Sequence, residues 1–148
     1  MSVKERIFFF IKKNNYKAAY EISGKYIREY QSDEQFVILY IMLRIAKDEK
    51  EAGVKDIFSI SGKKDINELI AHYQNIKFCL RHFEYEVGEP ARKDAMAYFK
   101  EFNVSLYALV YIAQYACVDV HKAVCGIANY YENDGETEKA EILRNTYC

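Results

Sequence analysis

Ile127-Ala128-Asn129-Tyr130-Tyr131, followed by Asp134-Gly135-Glu136 and then Lys139-Ala140, is the stretch of this chain whose reading decides the fold. Small and aromatic residues at those offsets suit a helix that approaches a neighbour closely. Gly135 supplies a turn, and Ala140 leaves room for the next helix to pack back. The pattern predicts two antiparallel helices, from Asp119 to about Asn133 and from Glu136 to Thr146.

Working outward, the same punctuation recurs. Ser2 with Glu5 reads as a capping box, opening a helix to about Lys13. Asn14-Asn15 turns the chain, and Tyr16 to Tyr30 reads as a second helix with Ala19, Ile22, Tyr26 and Ile27 on one side. Ser32 with Gln35 is a further capping box. It opens a helix from Asp33 to about Lys50 that is apolar on several faces and therefore central. Residues 53–64 are ambiguous: Val54, Ile57 and Phe58 suggest a short helix and Ser61-Gly62 a turn, with a short strand as the alternative. Asp65 with Glu68 caps a long helix ending near Val87, seamed by Leu69, Tyr73, Ile76, Leu80 and Phe83. Gly88-Glu89-Pro90 breaks the chain, and any subdomain boundary is expected there, at 88–90. Met96, Phe99 and Phe102 give the next helix its buried face. After Asn103-Val104-Ser105, a helix capped by Ser105 runs to about Cys117.

About eight antiparallel helices joined by short turns make this an all-α array, read as a single domain over 1–148. Composition agrees: one Pro and six Gly leave long helices uninterrupted. There are fourteen Tyr and no Trp, so many hydroxyls must sit near solvent or a partner. The formal charge of −1 offers no field for nucleic acid, and no nucleic-acid partner is expected. The apolar runs Ile7 to Ile11 and Phe36 to Leu43 are too short for a signal peptide or a bilayer span, which leads us to expect a cytoplasmic protein with no membrane partner. The four Cys, at 79, 117, 125 and 148, are then expected as reduced thiols.

The C-terminal stretch resembles the tetratricopeptide repeat. Ile127-Ala128 stands at its Leu-Gly pair, Tyr131 at its first-helix Tyr, Gly135-Glu136 at its turn and Ala140 at its second-helix Ala. Val124 takes the place of the usual Trp, and Thr137 that of the turn aromatic. Phe10, Asn14-Asn15-Tyr16 and Ala19 resemble the same motif near the N-terminus. The resemblance implies stacked hairpins with a concave face that receives a peptide or partner helix, and no catalysis.

Several residues are candidates for a site. Tyr107, Tyr111 and Tyr115 form a stripe that either packs between helices or lines a groove. Lys77, Arg81 and Glu84 share a helix side, where Arg81 suits a partner carboxylate and an ordinary ion-pair face is the plainer reading. Tyr73, Arg81 and Tyr111 would frame a small ligand if the chain were a sensor, the alternative to a peptide-binding scaffold. Cys117, His121 and Cys125 are spaced four apart, as weak zinc candidates or as core residues. Cys79 with His82 reads as structural, since no oxyanion or activating motif accompanies the pair. Lys4, Arg6, Lys12, Lys13 and Lys17 read as a solvated basic face. With no phosphate loop, nucleophile elbow or paired catalytic carboxylates, no enzyme activity and no cofactor are expected. A protein or peptide partner is expected, and self-association is expected from the Tyr content and from the apolar surface left on the two terminal helices.

Overall fold

A computed structural model describes residues 1–60, 65–85 and 87–148. Among the described residues the protein is all-helical, with no strand. Eight α-helices run α1 Val3–Lys12, α2 Tyr16–Tyr26, α3 Glu34–Glu51, α4 Ile66–Glu84, α5 Glu89–Glu101, α6 Leu106–Ala116, α7 Val120–Asn133 and α8 Thr137–Tyr147, with a 3-10 turn at Ile57–Ile60 between α3 and α4. The turn expected at Ser61-Gly62 lies outside the described residues.

Local chemistry sets most of these boundaries. Ser2 Oγ accepts from Glu5 N–H, Ser105 Oγ from Ala108 N–H and Asp119 Oδ1 from Lys122 N–H, each satisfying an orphan first-turn donor. Asp65 Oδ1 accepts from Asn67 N–H at 2.8 Å at the start of α4. Four helices close the same way at their C-termini. Asn14, Gly53, Asn103 and Gly135 take positive φ (57°, 73°, 50° and 83°). The next amide then reaches back five residues: Asn15 to Phe10 O, Val54 to Glu49 O, Val104 to Phe99 O and Glu136 to Tyr131 O.

Three boundaries differ from the sequence reading. The cap of α3 is Asp33, whose carboxylate accepts from Phe36 N–H, rather than Ser32, which stands one residue too early for that geometry. The second helix stops at Tyr26 rather than Tyr30. Residues 27–33 continue as turns closed by Glu29 N–H on Tyr26 O and Asp33 N–H on Tyr30 O, and Tyr30 stacks on Phe36 with ring centroids 4.4 Å apart. The long helix stops at Glu84 rather than near Val87.

The chain divides into two compact units, Met1–Tyr73 and Gln74–Cys148, and the division falls within α4. The break expected at 88–90 falls at the start of α5, with Gly88 as its N-cap and Glu89 and Pro90 in its first turn. In the first unit α1 packs on α2, α2 on α3, and α3 on the 3-10 turn. Helix α3 is central as expected, burying Phe36, Ile38, Leu39, Ile41, Met42, Leu43, Ile45 and Ala46. Glu49, also buried, accepts from Ile57 N–H at 2.8 Å and so fastens the 3-10 turn to α3. In the second unit α7 packs on both α6 and α8, with Val124, Ile127, Ala128, Tyr131, Ala140 and Leu143 buried. A Cβ on Gly126 would meet Phe83 Cδ1 at 3.3 Å, so α7 approaches α4 closely at this glycine.

Candidate functional site

The last turns of α4 bring together a guanidinium, exposed aromatic rings and a buried carboxylate. Helical spacing sets Lys77, Arg81 and Tyr85 on one stripe. Arg81 Nη2 donates to Tyr85 Oη at 2.9 Å, and its guanidinium lies 5.3 Å from the Tyr85 ring centroid. Phe78 is 65% exposed and meets the His82 ring edge-on at 4.5 Å. From α5, Arg92 donates to His82 O at 3.2 Å and to Tyr85 O at 3.4 Å, occupying carbonyls that the end of α4 leaves open.

Glu84 behaves differently from its neighbours. The sequence groups it with Lys77 and Arg81 on one polar side. The structure buries it, because Ile76, Leu80 and Glu84 repeat every four residues along the core stripe. Its Oε1 accepts from Val118 N–H at 3.0 Å, a tie between residues 34 apart in sequence. Beside it, the Cys117 thiol is pushed up to about 12, first by burial and then by the Glu84 carboxylate, against a smaller opposing pull from Arg81. With its amide fixed, Val118 turns its side chain outward and is 89% exposed. Tyr115, in the last turn of α6, is also exposed. Phe78, Arg81, Tyr85 and Val118, with Tyr115 three residues before Val118, thus offer apolar and aromatic surface alongside a guanidinium.

The two ends of the tyrosine stripe of α6 face outward, and its middle is partly covered. Tyr107 and Tyr115 are exposed and Tyr111 is half-buried, with the Tyr107 and Tyr111 centroids 6.4 Å apart. The core side of α6 is Ala108, Leu109, Ile112 and Ala113, small and branched enough to fill the interior without them. Three tyrosines of the first unit are structural: Tyr16 is buried against Phe58, and Tyr20 stacks on Tyr40 with their hydroxyls 3.2 Å apart. Of the trio proposed for a small ligand, Tyr73 is buried in the first unit, whereas Arg81 and Tyr111 belong to the second.

The cysteines correct the sequence reading most sharply. Cys125 and Cys148 form a disulfide, with Cα atoms 6.1 Å apart and a sequence separation of 23. The expectation of four reduced thiols fails there, because α8 packs on α7 and brings the two sulfurs together. Cys125 therefore has no thiolate to give a metal, and Cys117 lies ahead of the Asp119 cap rather than on the same helix as His121. Among the described residues no group of three or more His, Cys, Asp or Glu side chains is arranged to hold a metal ion. Cys79 is buried and its thiol pushed up to about 11 by that burial, which suits packing and not nucleophilic attack. Tyr147 is held from α6 by a hydrogen bond from Gln114.

No family model, no curated protein and no solved structure matches this chain. Among the described residues no helix is long and apolar enough to cross a membrane.

Proposed function

We propose that this protein is a non-enzymatic scaffold of antiparallel, tetratricopeptide-like helical hairpins that binds a protein or peptide. The binding face is the aromatic surface around Arg81, Tyr85 and Val118. The observation that carries this reading is Val118, 89% exposed although its own backbone is tied to a buried carboxylate. A rigid support beneath an exposed apolar side chain is what a preorganised contact needs, because little conformational freedom is lost on binding. Phe78, Tyr85 and Tyr115 add aromatic area, the residue type that most often anchors interfaces. Arg81, already stacked on Tyr85, offers its remaining donors to a partner's carbonyl or carboxylate.

Affinity capture with the intact, disulfide-bonded protein from a whole extract of its source cells tests the reading. The double variant Y85A/V118D should lose the captured partner while keeping the native helical circular dichroism. A native protein that captures nothing, or a double variant that captures the same partner equally well, overturns it.

A further inference from the structure

We propose a second interface, between copies of this chain, in which the outer face of α1 in one copy docks on the outer face of α8 in another. It goes beyond the peptide-binding reading and does not rest on it.

The two faces are matched opposites. Helix α1 buries Ile7 and Ile11 and turns Phe9 outward, 44% exposed. Lys13 Nζ sits 4.3 Å from the Phe9 ring centroid. Arg6 and Lys12 are exposed on the same helix, Lys13 on its C-cap and Lys17 on the first turn of α2. Lys50 joins them from α3, its Nζ donating to Asn14 O at 2.6 Å. Among the described residues, the ion pairs of this unit use Lys4 and Lys47, and none uses Lys12, Lys13, Lys17 or Lys50. Helices α1 and α2 carry Lys4, Arg6, Lys12, Lys17 and Lys25 against the carboxylates Glu5 and Glu21, while Glu49 and Asp56 lie near Tyr16.

Helix α8 buries Ala140 and Leu143 and turns Ile142 outward, 48% exposed. Glu138, Glu141 and Ile142 share one stripe, and Asp134 lies exposed in the turn before it. The two cations of α8 are already engaged, Lys139 with Glu136 and Arg144 with Glu132. Among the described residues no ion pair involves Asp134, Glu138 or Glu141. The formal charges follow: 13 basic against 11 acidic residues over 1–73, and 8 against 11 over 74–148. One face is therefore an apolar anchor ringed by lysines and the other an apolar anchor ringed by carboxylates. Neither face complements a copy of itself, so the contact is heterologous, joining different surfaces of the two copies. Charge complementarity of this kind sets register and partner choice.

Sedimentation equilibrium of the full chain tests the proposal. At about 0.01 M salt, where the screening length is long, the weight-average mass should rise with concentration above the 17.4 kDa of one chain. At about 0.15 M salt the association should be roughly tenfold weaker. The triple variants K12E/K13E/K17E and D134K/E138K/E141K should each remain monomeric at low salt, and an equimolar mixture of the two should associate again. Phe9→Ser and Ile142→Ser, which leave every charge in place, should each weaken the association. All substituted positions are exposed, and circular dichroism verifies that each variant is folded. A wild type at monomer mass in both salts, a triple variant that associates like the wild type, or a mixture that stays monomeric overturns the proposal. None of these outcomes touches the face at Tyr85 and Val118.

Discussion

Glu84 shows how one side chain can serve two elements. It closes the core stripe of α4, and its Oε1 fixes the link between α6 and α7 through Val118 N–H. An acceptor lost at a buried site leaves a donor unsatisfied, at a cost of about 1–3 kcal/mol. Glu84→Gln keeps the acceptor and removes the charge, so the fold should survive. The Cys117 thiol, held up near 12 by burial and by that carboxylate, should then ionise at lower pH. Alkylation of Cys117 by iodoacetamide at mildly alkaline pH should become faster in this variant, and an unchanged rate would show that the carboxylate has no hold on the thiol. Residues at this scale were unevenly legible. The Ser105 and Asp119 caps could be read because each hydrogen-bonds within three positions. Glu84 was misplaced because its partner lies 34 residues away, though its continuation of the Ile76 and Leu80 repeat was there to be read.

At the scale of elements, four helices end on a left-handed residue followed by an amide that reaches back five positions. This recurrence is why the helices could be counted from sequence: Asn and Gly mark the sites where positive φ costs least. The same logic failed at residues 27–33, where no Gly or Asn marks the end of α2 and a Tyr30–Phe36 stack takes over. At Gly135, where φ is 83°, a Cβ would meet nothing within 4 Å, so its requirement is conformational rather than steric. Gly135→Ala should destabilise the protein by about 1–2 kcal/mol. Urea denaturation measures this, and Gly135→Asn, which better tolerates that conformation, should recover part of the loss. Burial could not be assigned from the α6 pattern alone, because tyrosine suits both an interior and a wet surface. The deciding fact is that Ala108, Leu109, Ile112 and Ala113 already fill the inner side.

For the whole molecule, an all-helical chain was legible from periodicity and sparse Pro and Gly, but the covalent tie was not. Sequence spacing does not say which cysteines meet, and Cys125 meets Cys148 only because α8 packs on α7. A cross-link spanning 23 residues should contribute about 3 kcal/mol by limiting the unfolded chain. Cys148→Ser should lower the urea midpoint accordingly. Intact mass before and after reduction should differ by two hydrogens in the wild type and not at all in the variant. The bond also makes residues 125–148 a closed covalent ring that contains the exposed turn at Asp134-Gly135. A protease cutting once in that turn would separate nothing: both fragments would travel together through denaturing electrophoresis, and only an added thiol would part them.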